Sequence, residues 1–156
     1  MKMNRTTPQE VAKRAGELFG KDYHCVEAVA KAVLESLGED AGESVACATA
    51  FGGGFGRCHQ ETCGALCGAL IAIGHLHGRR EPGQNWDQAA DLAATARKTF
   101  IQRHGTTHCQ TLRDRFGEQE QMDECHNIVR LTTHNLIELL DGTEKNDGQA
   151  CHACSC

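Results

Sequence analysis

The stretch 63–74 limits the fold more than any other part of the chain, because it is apolar throughout and built largely from small side chains. It is too short to cross a bilayer, which takes about 20 residues, and it runs into His75 and His77. A buried helix is the reading that remains. Gly64 and Gly68, with Ala65, Ala69 and Ala72, leave that helix with little bulk, so neighbouring helices can approach it closely. The expected helix covers 63–76, with Thr62 as its cap.

Helix signals recur on both sides of it. Thr7-Pro8-Gln9-Glu10 combines a capping hydroxyl, a proline at the first helical position and a Glu that can reach back. Val11, Ala15, Leu18 and Phe19 then share one face, and Gly20 stops the helix. Asp22 is the expected cap of a second helix, striped by Cys25, Val26, Val29, Ala30, Val33 and Leu37 and closed by Gly38. A short helical piece is expected over 44–50. Asn85 and Gln88 cap a helix with the stripe Trp86, Ala89, Ala90, Ala93 and Phe100, and Gly105 ends it. Thr107 with Gln110 reads as another capping box, and the last helix spans about 122–140, with Cys125, Ile128, Val129, Thr132, Leu136, Leu139 and Leu140 on one face. No run alternates as a strand would. The expected fold class is therefore all-α, a compact bundle of about five to six helices with a Gly-rich loop and a Cys-rich C-terminal tail.

With 156 residues the chain is the size of one ordinary domain. That domain is expected over 1–142, followed at 143–156 by a polar linker and the Cys151-x-x-Cys154-x-Cys156 tail. The net charge is −5 and Lys and Arg are scattered, so neither nucleic acid nor a membrane is an expected partner. The first residues contain no apolar stretch that a secretion machinery could read, so a cytoplasmic location is expected. In that reducing compartment ten cysteines argue for metal or thiol chemistry rather than a disulfide scaffold.

Cys25, Cys63 and Cys109 fall in the first turns of expected helices, where unpaired N–H groups and the dipole favour a thiolate and should lower the thiol pKa. Cys125 supplies a fourth sulfur. Four thiolates suit a [2Fe-2S] or [4Fe-4S] cluster, and also zinc, although zinc ligands usually come as close C-x2-4-C pairs, which these four do not form. Any one of them also reads as a small core residue. Cys67 lies one turn after Cys63 and reads as a spare ligand, a resolving thiol in a Cys63–Cys67 catalytic pair, or packing.

Cys151, Cys154 and Cys156 read as a second cluster site, completed by Cys58 or Cys67, as a site for a soft ion such as Cu(I) or Zn(II), or as no more than an oxidation-prone tail. Gly52-Gly53-Gly54-Phe55-Gly56-Arg57 lacks nucleotide-loop spacing. Gly53, Gly54 and Gly56 instead read as bare backbone laid against a cofactor, with Arg57 balancing negative charge. Among nine histidines, His59, His108 and His126 are candidate proton donors or alternative ligands. No Ser-His-Asp arrangement can be placed, so a hydrolase is not expected.

Taken together, Cys25 with Glu27-Ala28-Val29, the 52–57 glycine loop, Cys63-Gly64-Ala65-Leu66-Cys67-Gly68, Cys109 with Leu112, and Cys125 with Val129 resemble the C_GCAxxG_C_C family, named for its cysteine pattern. The resemblance implies a redox-active protein with family cysteines at Cys25, Cys63, Cys109 and Cys125. It also implies a relationship to the iron–sulfur part of split-Soret cytochromes, which are dimeric, and hence a homodimer. This chain has no C-x-x-C-H, so covalent haem is not expected. The expected function is an iron–sulfur redox protein, in electron transfer or as a small oxidoreductase, served by a partner protein or a small-molecule electron acceptor. The alternatives are a cluster-free thiol–disulfide oxidoreductase and a soft-metal carrier or sensor.

Overall fold

A computed structural model describes residues 6–147. It contains α1 (Pro8–Leu18), α2 (Cys25–Ser36), α3 (Gly42–Ala48), α4 (Gly64–His77), α5 (Asp87–His104), α6 (Cys109–Arg113) and α7 (Gln121–Asp147), with a single 3-10 turn over Thr49–Phe51. No strand occurs among the described residues, so the all-α expectation holds. Two of the seven helices are short, which accounts for the higher count. No described helix is long and apolar enough to cross a membrane.

Helix α1 starts as its sequence requires. The Thr7 N–H donates to the Glu10 carboxylate at 2.7 Å, and Pro8 opens the first turn. Val11, Ala15 and Leu18 are buried against α7 and α2. The start of α2 differs from expectation. Its N-cap is His24, whose N–H donates to Glu27 Oε2 at 2.9 Å, while the Asp22 N–H closes the end of α1 on the Leu18 carbonyl. The buried Glu27 takes a second bond at 2.8 Å from the Thr49 hydroxyl, so one carboxylate ties the head of α2 to the turn after α3. Both its oxygens have donors, which is what makes its burial tolerable.

Helices α2 and α4 pack almost backbone to backbone. A Cβ at Gly68 would run into the Val26 carbonyl and lie 2.9 Å from the Val29 Cβ, and one at Gly64 would strike the Cys25 sulfur. Around this pair, Leu34, Leu66, Ile73, Val129 and Leu136 form the fully buried centre. The cap of α4 is Cys63 rather than Thr62. Thr62 instead pairs with His108 in an antiparallel bridge, with the Cys63 N–H on the Thr107 carbonyl at 2.7 Å and the Cys109 N–H on the Glu61 carbonyl at 2.8 Å.

In α5 the inward residues are Leu92 and Phe100, and Trp86 is 57% exposed with Arg79 stacked 5.8 Å from its ring. Its place in the expected stripe fails because it precedes the helix. Helix α7 continues through Gly142, past the expected end near Leu140. The Thr143 hydroxyl donates to the Leu140 carbonyl at 2.7 Å and helps carry the helix over the glycine.

Candidate metal or redox centre

At one end of the bundle the heads of α2, α4 and α6 and the first turns of α7 surround a cavity of about 450 Å³, and Cys25, Cys63, Cys109 and Cys125 all line it. Each arrives by a different local device. Cys25 is the first residue of α2, and the backbone N–H groups of Gly53, Val26 and Gly64 reach its sulfur. Cys63 caps α4, Cys109 begins α6, and the Thr62–His108 bridge holds those two residues side by side. Cys125 sits in the second turn of α7. Among the described residues no three Cys, His, Asp or Glu side chains come close enough to share one metal ion.

The wall between α3 and α4 is an unusual turn. Gly53, Gly54, Phe55, Gly56 and Arg57 all have φ between 57° and 66°, and His59 follows at 61°. Five successive left-handed residues cost L side chains roughly 1–2 kcal/mol each where a Cβ is present, which explains why three of the five are glycine. Gly54 has a second reason. Its Cβ would lie 2.7 Å from both the Cys109 Cβ and the His59 Cα. Gly53 and Arg57 line the cavity, whereas a Cβ at Gly56 would meet open space.

His59 lies against the Cys109 sulfur. Its Nδ1 lies 3.6 Å from Cys109 Sγ, and Arg113 donates through Nη1 to its Nε2. Arg113 is itself held by Gln121, whose Oε1 accepts from Nη2 at 3.0 Å. Burial, and then the Arg113 charge, push the His59 pKa down and favour the neutral ring. His108 and His126 have structural work instead. His108 accepts the Thr111 N–H and lies 3.0 Å from the Gln60 carbonyl, while His126 bonds the Met122 carbonyl and packs edge-on to Phe19. Because His108 does the capping, the expected Thr107–Gln110 box does not form, and Gln110 bonds Asp114.

The expectation that helix starts lower the thiol pKa is overturned. Burial raises Cys25, Cys63, Cys109 and Cys125, and the charge Cys25 would carry raises the other three further. Cys109 is pushed up to about 11 even with Arg113 drawing it down. Desolvation of the thiolate outweighs the N–H groups and the dipole. Cys67, 7% exposed and raised to about 11 by burial and then by Cys25, does not line the cavity; it packs with Val26, Ala48 and Ile71. Cys47 and Cys58 are exposed, and Cys58 donates to the Gly54 carbonyl at 2.9 Å. Cys151, Cys154 and Cys156 lie outside the described residues.

Sequence reasoning passed over Arg113 and Gln121. The signal for Arg113 was its place one helical turn after Cys109; Gln121, across a loop, had none.

No curated protein and no solved structure matches the chain. Residues 23–139 match the family described as "Putative redox-active protein (C_GCAxxG_C_C)". Within the matched span Cys25, Cys63, Cys109 and Cys125 line the cavity, and Gly64 and Gly68 admit α2. Spanning most of the chain, from just before α2 into α7, the match places this protein in the C_GCAxxG_C_C family.

Proposed function

We propose that the cavity holds an iron–sulfur cluster, [2Fe-2S] or [4Fe-4S], on Cys25, Cys63, Cys109 and Cys125, and that the protein works in electron transfer or as a small reductase. The observation that carries this reading is that four thiols brought in by four helices line one cavity. When bound, a cluster of this kind accepts and passes single electrons.

The chain's own residues would then have distinct tasks. The four thiols give up protons that burial makes them hold tightly, which only a strongly cationic partner can offset. The Gly53 and Gly64 N–H groups support negative charge on Cys25, and Arg113 does so for Cys109 and Cys125. The same raised pKa values weigh against a cluster-free thiol–disulfide oxidoreductase, whose attacking sulfur has to be a thiolate. Of the three thiols that could resolve an attack by Cys63, Cys67 packs outside the cavity while Cys109 and Cys125 line it.

The relationship to split-Soret cytochromes, the homodimer, the redox partner and a second metal at Cys151, Cys154 and Cys156 belong to this proposal as its extensions. Anaerobic purification or reconstitution tests the core of it. Iron and sulfide bound in comparable amounts, with visible absorption lost in Cys63→Ser, is the expected result. A colourless chain that takes up no iron overturns it, and a mixed disulfide trapped at Cys63 would favour the thiol enzyme.

A further inference from the structure

We propose that His59 is a positioning residue for Cys109, fixed by Arg113 in the tautomer that donates its Nδ1–H to the Cys109 sulfur, and so raises the potential of the redox group; this last consequence rests on the cluster reading above.

The chemistry of the guanidinium decides the tautomer. Arginine carries donors and no acceptor, so a ring nitrogen that receives its hydrogen bond must present a lone pair. Arg113 Nη1 donates to His59 Nε2. The ring then has one proton left, on Nδ1, which faces Cys109 Sγ at 3.6 Å, within reach for a sulfur acceptor. Arg113 cannot easily swing away, because Nη2 is bonded to Gln121 Oε1 at 3.0 Å.

His59 itself is pinned at the backbone. Its N–H donates to the Gly53 carbonyl at 3.0 Å, its carbonyl accepts from the Gln110 N–H at 2.8 Å, and it keeps a φ of 61° that a histidine seldom adopts. A strained residue fixed on both sides of its peptide and at both ring nitrogens has little freedom to do anything but face that sulfur. This arrangement also argues against a Cys–His nucleophile pair, since Nδ1 already carries a proton and cannot take one from Cys109.

An N–H directed at a ligating sulfur favours the state with more negative charge, which for a cluster is the reduced one. The test has two arms. In the metal-free chain, long-range ¹H–¹⁵N NMR is expected to show His59 protonated at Nδ1; protonation at Nε2 overturns the proposal whether or not a cluster binds. In the reconstituted protein, voltammetry compares the parent with Arg113→Met and with His59→Asn, whose side chain tolerates the left-handed backbone. Both are expected to lower the midpoint potential by roughly a three- to tenfold change in redox equilibrium, up to about 59 mV for one electron. An unchanged potential in a variant that keeps its iron and its unfolding midpoint overturns it. If His59→Asn fails to fold, the NMR arm decides, because Arg113→Met also removes a charge that acts directly on Cys109 and Cys125. A parent chain that binds no iron defeats the cluster reading and the effect on potential with it, while the NMR arm still judges the hydrogen bond.

Discussion

Cys25 and Cys63 stand on a wall made of helices pressed together, while Cys109 and Cys125 stand on a wall that carries a cation. On the first, the sulfur of Cys25 occupies the space a Cβ at Gly64 would take, and Cys63 lies at the same helix head. Sulfur position there is a matter of steric exclusion. On the second, Arg113 draws down the pKa of both cysteines and reaches Cys109 through His59. Position there depends on hydrogen bonds and charge. The contrast suggests a division of labour in which the packed wall decides whether the site exists and the charged wall decides its properties.

The largest expected effect breaks the packed wall. In an ordinary helix Gly→Ala stabilises by up to about 1 kcal/mol. Gly68→Ala should have the opposite sign, because the new methyl meets the Val26 carbonyl and Val29. Overpacking of this kind costs about 1–3 kcal/mol, read as a fall in the denaturant midpoint. Gly64→Ala should match it and also displace Cys25, so iron uptake falls as well. A stabilised Gly68→Ala would show that α2 and α4 do not approach as described.

Next in size is the contrast between the walls in binding. Cys63→Ser should reduce iron retained after reconstitution about tenfold or more, equivalent to roughly 1.4 kcal/mol. Cys109→Ser should keep a larger share, because exposed Cys58 lies nearby as a substitute thiol. Equal loss from both would erase the distinction.

Much of this was legible in the sequence and some of it was not, for identifiable reasons. The Thr7 cap, the α1 face, the close approach at Gly64 and Gly68 and the placing of Cys25 and Cys109 in first helical turns follow from local chemistry, and local chemistry is what a sequence displays. The Thr62–His108 bridge joins segments 46 positions apart and replaces the expected caps at Thr62 and Thr107, a choice that only tertiary contact makes. The left-handed run through Phe55 and Arg57 defies the preference of both residues, and the glycines around them predict only that the turn is irregular. The thiol pKa values went the other way because a helix dipole can be inferred from position, whereas burial and the nearness of Cys25 to the other three sulfurs cannot.

The pH dependence sharpens the comparison on the thiols themselves. In metal-free protein Cys67 and Cys109 hold their protons to about 11, and Cys63 beyond that, against 9.0 for an unperturbed thiol. Between those values the unfolded chain has lost protons that the folded chain retains. Stability is therefore fully present below pH 9 and declines as pH rises from 9 through 11. The denaturant midpoint should fall across that window, and pH-stepped alkylation with mass spectrometry should modify Cys109 before Cys63. Modification of Cys63 first would mean that the packed wall is the more open of the two.

The smallest effect concerns the strain stored between the walls. Arg57 holds a φ of 63°, which costs a residue with a Cβ about 1–2 kcal/mol, and its backbone N–H bonds the Gly52 carbonyl at 3.0 Å whatever the side chain is. Arg57→Gly removes the clash and adds freedom to the unfolded chain worth about 0.4–1 kcal/mol in the other direction. The net expectation is a gain of about 0.5–1 kcal/mol in the unfolding free energy of metal-free protein, small but opposite in sign to a typical substitution by glycine. If Arg57 keeps its place because its charge faces the cavity, the same variant should gain stability while its redox group becomes easier to oxidise. A destabilised Arg57→Gly would mean instead that the side chain contributes packing here, and the turn would then belong with the packed wall rather than between the two.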